Sequence, residues 1–370
     1  MKVPISGQVT GQPEIDNVAR VATSGHYGGG VFTNRFERGF SQFMGARFGV
    51  MCNSGSSANL LALAVLELPK GSEVLTCAVN FPTTVNAIIQ LGLVPVFVDA
   101  DPKTLNAIPF EVKGYAAGIF AHTLGNPLDV SLVEYPIIED CCDAVGSTIN
   151  GTMVGRRGVM ATASFYPAHH ITTGEGGMVT TDTPRLKKIL ESYRDWGRDC
   201  FCEPGKDNTC GTRFDGDYDH KYTYSRIGYN LKASDFQAAV GLAQLDRLEG
   251  FIKKRRENHA YLRTALQGLP IEIVEATPDS DPSWFGFAFL TPERNKLARY
   301  LDEHGVGNRP IMGGNLLRQP AYKNIAHRII GNLDGANKIH EQGLWVGVFP
   351  GITQDMRDCQ VETIRSYFNG

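Results

Sequence analysis

Long hydrophobic runs are missing from this 370-residue chain. Its longest uninterrupted apolar stretch runs only from Leu60 to Leu66, far short of the ~20 residues a membrane-spanning helix needs. The opening, MKVPISGQVTGQPE, lacks the apolar core of a secretory leader, so a cytoplasmic location is expected. An excess of charge of one sign is also missing. Lys and Arg number 36 against 39 Asp and Glu, a net charge of −3, which gives a nucleic-acid partner no basic footprint. Internal repeats and low-complexity tracts are absent, and 42% of residues are hydrophobic against 20% charged. Disordered and fibrous classes are thereby excluded, and the length suggests two domains. In a reducing compartment the eight cysteines are not expected to form structural disulfides. They read instead as metal ligands or buried thiols.

Between Val50 and Thr181, short apolar runs alternate with helical stretches. The runs EVLTCAV, VPVFVDA, AAGIFAHTL, PIIEDCC, ASFYPA and GGMVTTD are bounded by turn residues. Such runs predict buried strands of a mainly parallel sheet, and their alternation with helices predicts the α/β class. From Ser234 onward, DFQAAVGLAQLDRLEGFIKKRRENHAYLRTAL reads as one long amphipathic helix broken at Gly250. The expected division is a large cofactor-binding domain over residues 1–245, carrying a cysteine loop at 197–213, and a smaller C-terminal α/β domain over 246–370.

Four motifs offer chemistry. In SGSSANLLALAVL, small residues lead into an apolar helix. Its N-terminus, with Ser56 and Ser57, suits a phosphate, although an ordinary capped helix explains the same residues. In IIEDCCDAVGS, Asp140 closes an apolar run and so falls at the carboxyl end of a strand, where open α/β sheets bind ligands. A carboxylate there can pair with a protonated pyridine nitrogen of a B6 cofactor, or merely cap the strand. In SFYPAHHITTGEGG, His169 and His170 precede a Gly-rich turn. Histidine can serve as a base near neutrality, but two histidines without a third ligand make a poor zinc site. The fourth motif is C-x57-C-x-C-x7-C, formed by Cys142, Cys200, Cys202 and Cys210. Four thiolates suit zinc or an iron–sulfur cluster, and the C-x-C spacing tilts toward iron. Cys52, Cys77, Cys141 and Cys359 lack such grouping and read as buried thiols. If the strand stays extended beyond Asp140, Asp140 and Cys142 share a face about 7 Å apart, which makes cofactor and metal neighbours.

With these residues in view, the chain resembles the fold-type I, vitamin-B6-dependent sugar aminotransferase superfamily (DegT/DnrJ/EryC/StrS). Within it, the chain is similar to the iron–sulfur CDP-4-keto-6-deoxyglucose 3-dehydratases of 3,6-dideoxyhexose and O-antigen lipopolysaccharide biosynthesis. The resemblance runs from ISGQVTG through SGSSANLLAL, FPTTVN, IEDCCDAVGST, SFYPAHHITTGEGG, RDWGRDC, YDHKYTYSRIGYNLK and DPSWFGF to VGVFPG. It implies pairing of Asp140 with the pyridine nitrogen, phosphate contacts from Ser56, Ser57 and Ser164, and stacking of Phe81 on the ring. Asp143 falls beside the ring hydroxyl. Asn230 matches a phosphate contact donated across a homodimer. At His169 the aminotransferase relatives carry lysine. Histidine cannot form their imine, so the implied cofactor is pyridoxamine 5′-phosphate (PMP) held without a covalent bond, with His169 as base.

The resemblance further implies a [2Fe-2S] cluster on Cys142, Cys200, Cys202 and Cys210, and electrons from a separate NADH-dependent flavin/iron–sulfur reductase. Its substrate would be a nucleotide-linked 4-keto-6-deoxyhexose, CDP-linked by default. A cluster-free PMP-dependent 3-dehydratase, a true sugar aminotransferase and a non-catalytic sugar-nucleotide-binding protein with structural zinc are the alternatives. One departure stands out. Only NPLDVSLVEY separates the AHTLG run from PIIED, whereas a parallel crossover usually needs a dozen or more residues, helix included.

Overall fold

The computed structural model describes residues 1–108, 114–131, 135–200, 202, 208–209, 211 and 218–369. Helices α1 (Gln12–Ser24) and α2 (Val31–Phe43) precede strand β1 (Phe48–Cys52), α3 (Gly55–Ala64), β2 (Glu73–Cys77), α4 (Pro82–Gln90) and β3 (Val94–Val98). Next come β4 (Ala117–Ala121), β5 (Ile137–Asp140), the short β6 (Thr148–Ile149) and β7 (Thr152–Met153), then β8 (Met160–Ser164), β9 (Gly177–Thr181) and α5 (Pro184–Arg194). Helices α6 (Asp235–Leu245) and α7 (Leu248–Ala265) lead into β10 (Glu272–Ile273), β11 (Ser280–Asp281) and β12 (Gly286–Leu290). The chain closes with α8 (Arg294–Glu303), β13 (Asn308–Pro310), β14 (Arg328–Ile329), α9 (Asp334–Gln342), β15 (Gly343–Gly347) and α10 (Gln354–Asn369).

The main sheet has the order β1-β9-β8-β5-β4-β2-β3-β14. Every pairing from β8 to β14 is parallel, and β9 alone runs against its neighbours. All five residues of β4 and all four of β5 are buried, as expected for a parallel sheet covered on both faces. A second sheet, β10-β12-β15-β13, is antiparallel throughout. Its core, built on Phe287, Phe289, Leu344 and Val346, packs against α7, α8 and α10 through Leu262, Leu297, Leu301 and Ile364. The two bodies exchange segments: Val3 pairs with Val306 beside the second sheet, while β14 joins the first.

Two features depart from the sequence pattern. The helical run after Ser234 breaks at Asp246 and Arg247, while Gly250 lies inside α7 with open space where a Cβ would stand. Gln244 and Arg247 both donate to Val9 O and to Glu14 Oε1. That anchor fixes the end of α6 on the N-terminal segment and lets α7 leave in a new direction. The other feature is β1, which pairs with β9 along all five residues and lies just before the loop CNSGSSAN. The short connection between the parallel neighbours β4 and β5 carries a single 3₁₀ turn, Thr123–Gly125, among its described residues, and no α-helix.

Candidate active site

A cavity of about 500 Å³ opens between the carboxyl ends of β4, β5 and β8 and the near edge of the second sheet. The first sheet and its loops contribute Gly55, Ser56, Phe81, Asp140, Cys142, Asp143, Ser164 and His169; the second contributes Phe285, Arg309 and Trp345. Leu124 and Met312 also line it, and both hold left-handed backbone (φ 50° and 45°) that a branched or bulky side chain rarely adopts. Such strain concentrates at functional sites, where the surrounding packing must hold it.

Asp140 sits on the floor, 5% exposed. Its Oδ2 accepts from Asn59 Nδ2 and Thr84 Oγ1, both at 2.8 Å, and its Oδ1 accepts from Cys142 N at 3.1 Å. Asn59 is itself fixed, its Oδ1 accepting from Thr162 Oγ1 at 2.6 Å. Three neighbouring elements thus aim one carboxylate into the cavity. The chain turns immediately after Asp140, so the extended geometry expected for Asp140 and Cys142 does not hold. An aspartate turn keeps the pair together instead. Burial, with Asp140 and Asp143 alongside, pushes the Cys142 thiol far above its ordinary range. The Cys52 and Cys77 thiols are pushed up to about 12 by burial, as suits structural cysteines.

Ser54 caps α3 by accepting from Ser57 N at 3.1 Å, and Ser57 Oγ donates to Asn53 Oδ1 at 2.6 Å. The Ser57 hydroxyl therefore serves the cap, and the open N–H groups of the first turn, with Ser56, face the cavity. The approach is tight. A Cβ on Gly55 would lie 2.5 Å from Ser164 Cβ and 3.2 Å from Cys142 Sγ. Glycine keeps this cradle open, and the helix N-terminus makes it favourable to an anion. Phe81, 54% exposed, presents its ring at the cavity wall.

The two adjacent histidines divide. His170 is buried, its Nε2 donating to Ser283 O at 2.9 Å, and burial depresses its pKa strongly. His169 lines the cavity, its Nδ1 buried and 3.4 Å from Asp143 Oδ1. The separation suits an ion pair, but the angle does not make a hydrogen bond. Nε2 is left as the ring nitrogen available to the cavity. The loop carrying His169 is held by Arg255 of α7, whose guanidinium donates to Ala168 O, His169 O and Phe285 O. Burial lowers the Arg255 pKa to about 10, with Asp143 acting the other way.

Below the floor, Glu139 accepts from the backbone N–H groups of Gly155, Arg157 and Gly158 and from His122. Burial opposes its charge, yet these bonds, led by His122, hold its pKa below the usual range. Sequence reasoning passed over Asn59, Thr84, Thr162, Arg255 and His122.

Of the remaining expected residues that are described, Asn230, Cys200 and Cys202 do not line the cavity. Asn230 is exposed on the ribbon that pairs Asp195 with Asn230 and Arg198 with Tyr224. Cys200 and Cys202 converge with His220, their donor atoms within 4.8 Å of one another. Cys142 is not part of that group, and Cys210 lies outside the described residues. Among the described residues no helix is long and apolar enough to cross a membrane.

This geometry has relatives. The model of the DegT/DnrJ/EryC1/StrS aminotransferase family matches residues 8–365. The chain is 46% identical to lipopolysaccharide biosynthesis protein RfbH of Salmonella typhimurium, across 99% of this chain and 92% of that protein. It is also 46% identical to dTDP-4-dehydro-2,6-dideoxy-D-glucose 3-dehydratase of Saccharopolyspora spinosa, across 94% of this chain and 81% of that one. Among solved structures, E. coli GDP-4-keto-6-deoxy-D-mannose-3-dehydratase with bound hydrated PLP superposes with a TM-score of 0.90 at 29% identity, covering 98% of this chain and 99% of that one. The fold is the fold-type I architecture of B6-dependent enzymes. By sequence, fold and cavity, the chain belongs to the DegT/DnrJ/EryC1/StrS aminotransferase family.

Proposed function

We propose that the protein is a PMP-dependent dehydratase that removes the C3 hydroxyl of a nucleotide-linked 4-keto-6-deoxyhexose. One observation carries the reading: the base loop presents His169, not a lysine, to a cavity whose floor is the anchored carboxylate of Asp140. The names of the relatives, 3-dehydratases of nucleotide-linked keto sugars, support it.

The residues fit the cofactor. The α3 N-terminus, with Ser56 and Ser164, would hold its phosphate and Phe81 would cover its ring. Asp140 would keep a proton at the pyridine nitrogen. Asn230 of the partner subunit would reach the phosphate in a homodimer. When bound, PMP supplies an amine for the 4-keto group and an electron sink. His169 Nε2 is the mobile base, able to take a proton and return it to the departing C3 hydroxyl oxygen. Asp143 faces Nδ1 and orients the ring. Without a lysine in this position the chain has no side-chain amine there to anchor a cofactor aldehyde.

The finer reading adds a [2Fe-2S] cluster on Cys142, Cys200, Cys202 and Cys210, fed by an NADH-dependent flavin/iron–sulfur reductase and acting at the cytoplasmic stage of deoxysugar assembly. The approach of the Cys200 and Cys202 side chains, with ligand atoms within 4.8 Å, supports a shared metal on this loop. Anaerobic incubation with PMP, a reductase, NADH and a panel of CDP-, dTDP- and GDP-linked 4-keto-6-deoxy sugars tests both readings by product mass. Release of a 3-deoxy-4-keto sugar is the expected result. An aminated sugar would replace the reading with a transaminase, and product formed without iron or reductase would remove the cluster.

A further inference from the structure

We propose that Arg309, on the edge strand of the second sheet, binds the diphosphate of the nucleotide-linked substrate. The proposal deepens the reading of the cavity as a site for a nucleotide-linked sugar and rests on it.

The strand aims the residue. β13 is the edge of the second sheet, and successive side chains on a strand point to opposite faces. Asn308 turns inward: it is buried, and its Nδ2 donates to Ala298 O at 3.1 Å and to Asp302 Oδ1 at 2.9 Å, both on α8. Arg309 projects from the other face, which borders the cavity. Its partner across the ladder is Trp345, so the two side chains share that face. The following Pro310 keeps Arg309 extended, and the Pro310 carbonyl accepts from Trp345 Nε1 at 3.1 Å. The cation therefore rises from a backbone that is locked to the aromatic wall of the cavity.

The charges around the cavity give that cation a task. Asp140, Asp143 and Glu175 bring three carboxyl groups to the lining, and among the described lining residues Arg309 is the only Lys or Arg. A substrate carrying a diphosphate needs a counter-charge, and this chain offers one. Arg309 Nη1 donates to Asn308 O at 2.7 Å. Among the described residues it forms no ion pair, whereas Arg318, on the loop that follows β13, pairs with Glu341 at 2.6 Å. The other N–H groups of its planar fork suit two phosphate oxygens at once. The cofactor phosphate has its own place at the α3 N-terminus, on the opposite sheet. Position fits as well. The His169 ring lies 5.3 Å from that of Phe285, and Phe285 lies 5.3 Å from Trp345, so base, two aromatic rings and cation follow one another along one wall. In the substrate the diphosphate hangs from C1, across the hexose ring from the reacting C4. A sugar lying on this wall with C3 and C4 toward His169 directs its diphosphate toward Arg309.

Calorimetric titration of CDP, dTDP and GDP, and of the matching nucleosides, into full-length PMP-loaded protein tests the assignment. The tightest nucleoside diphosphate should bind better than its nucleoside, and added salt should weaken it. In Arg309→Met its affinity should fall about tenfold or more while PMP affinity holds, and Arg309→Lys should recover part of the loss. In turnover, KM for the sugar nucleotide should rise far more than kcat falls. Unchanged nucleoside diphosphate affinity in Arg309→Met, an equal loss of nucleoside affinity, or no binding of any of the three to the parent protein overturns the assignment. So does a matching fall in PMP affinity, which would give Arg309 to the cofactor phosphate. The binding readout does not depend on dehydration. An aminated product, with diphosphate affinity lost in Arg309→Met, sinks the dehydratase reading and keeps this site; a 3-deoxy product with that affinity unchanged does the reverse.

Discussion

His259 makes stability depend on pH in a way the structure quantifies. It lies on α7, 4% exposed, stacked on Trp284 with ring centroids 4.1 Å apart and planes within 5°. Burial, reinforced by the nearby Arg263 charge, lowers its pKa to about 3. An unfolded histidine titrates near 6.5. The folded value is depressed, so the unfolded chain takes up the proton first as the pH falls. The stabilisation is therefore present above about pH 6.5 and is lost progressively below it. Between pH 7.5 and pH 5 this one group removes about 2 kcal/mol. His170, also depressed by burial, acts with the same sign. Glu37, raised by burial, acts with the opposite sign. The lowered carboxylates Glu14, Asp129, Glu139 and Asp182 lose their contributions only below about pH 4.5.

The background groups cancel if His259→Phe, which keeps a ring on Trp284, is compared with the parent protein. Urea midpoints converted to free energies at pH 7.5, 6 and 5 provide the assay. The parent should lose about 2 kcal/mol more than the variant across that range. Parallel pH profiles would show that His259 is protonated in the fold, and the argument from burial would fail.

Three further outcomes follow from the cavity. His169→Asn should abolish dehydration while PMP still binds, measured by turnover and cofactor absorbance; substantial turnover would remove His169 from the role of base. Gly55→Ala places a Cβ 2.5 Å from Ser164 Cβ, an overlap of the kind that costs about 1–3 kcal/mol; PMP affinity by equilibrium titration should fall about tenfold or more. Asn59→Leu removes one charged hydrogen bond from Asp140 and strands Thr162 Oγ1; denaturation should show a loss of about 1.5–3 kcal/mol, with weakened PMP binding.

Much of the sheet was legible because its strands are buried on both faces and appear as unbroken apolar runs. Strand β1 was harder to see, since FGVMC is short and runs directly into the CNSGSSAN turn. Strand β14 is two exposed residues, Arg328 and Ile329, and a pairing that brief leaves no periodic trace. The helix break at Asp246 depends on a tertiary anchor to Val9 and Glu14, which no local pattern encodes. Asp140 and His169 stood out in the sequence because one ends an apolar run and the other follows one before a Gly-rich turn, whereas Ser164 came only from the family resemblance. Their supports did not stand out, because hydroxyls and amides such as Thr84, Thr162 and Asn59 are common on any element, and only the three-dimensional arrangement turns them toward one carboxylate.

Arg255 shows how a supporting residue can hide in plain view. It belongs to the basic run Lys253 to Arg256, which reads as a solvated helix face. The buried positions of α7 are Leu248, Phe251, Ile252, Arg255, Asn258, His259 and Leu262. That is a single helical stripe, spaced by three and four residues. The apolar residues at its two ends fix the phase, and the phase carries the stripe through Arg255, Asn258 and His259. A cation on the buried side of a helix must find acceptors, and Arg255 finds them in Ala168, His169 and Phe285. His170 ties the same loop to Ser283 just before β12. The loop carrying His169 is therefore attached to the second sheet by two buried hydrogen-bonding side chains. A displacement of the second sheet would therefore carry the His169 loop with it.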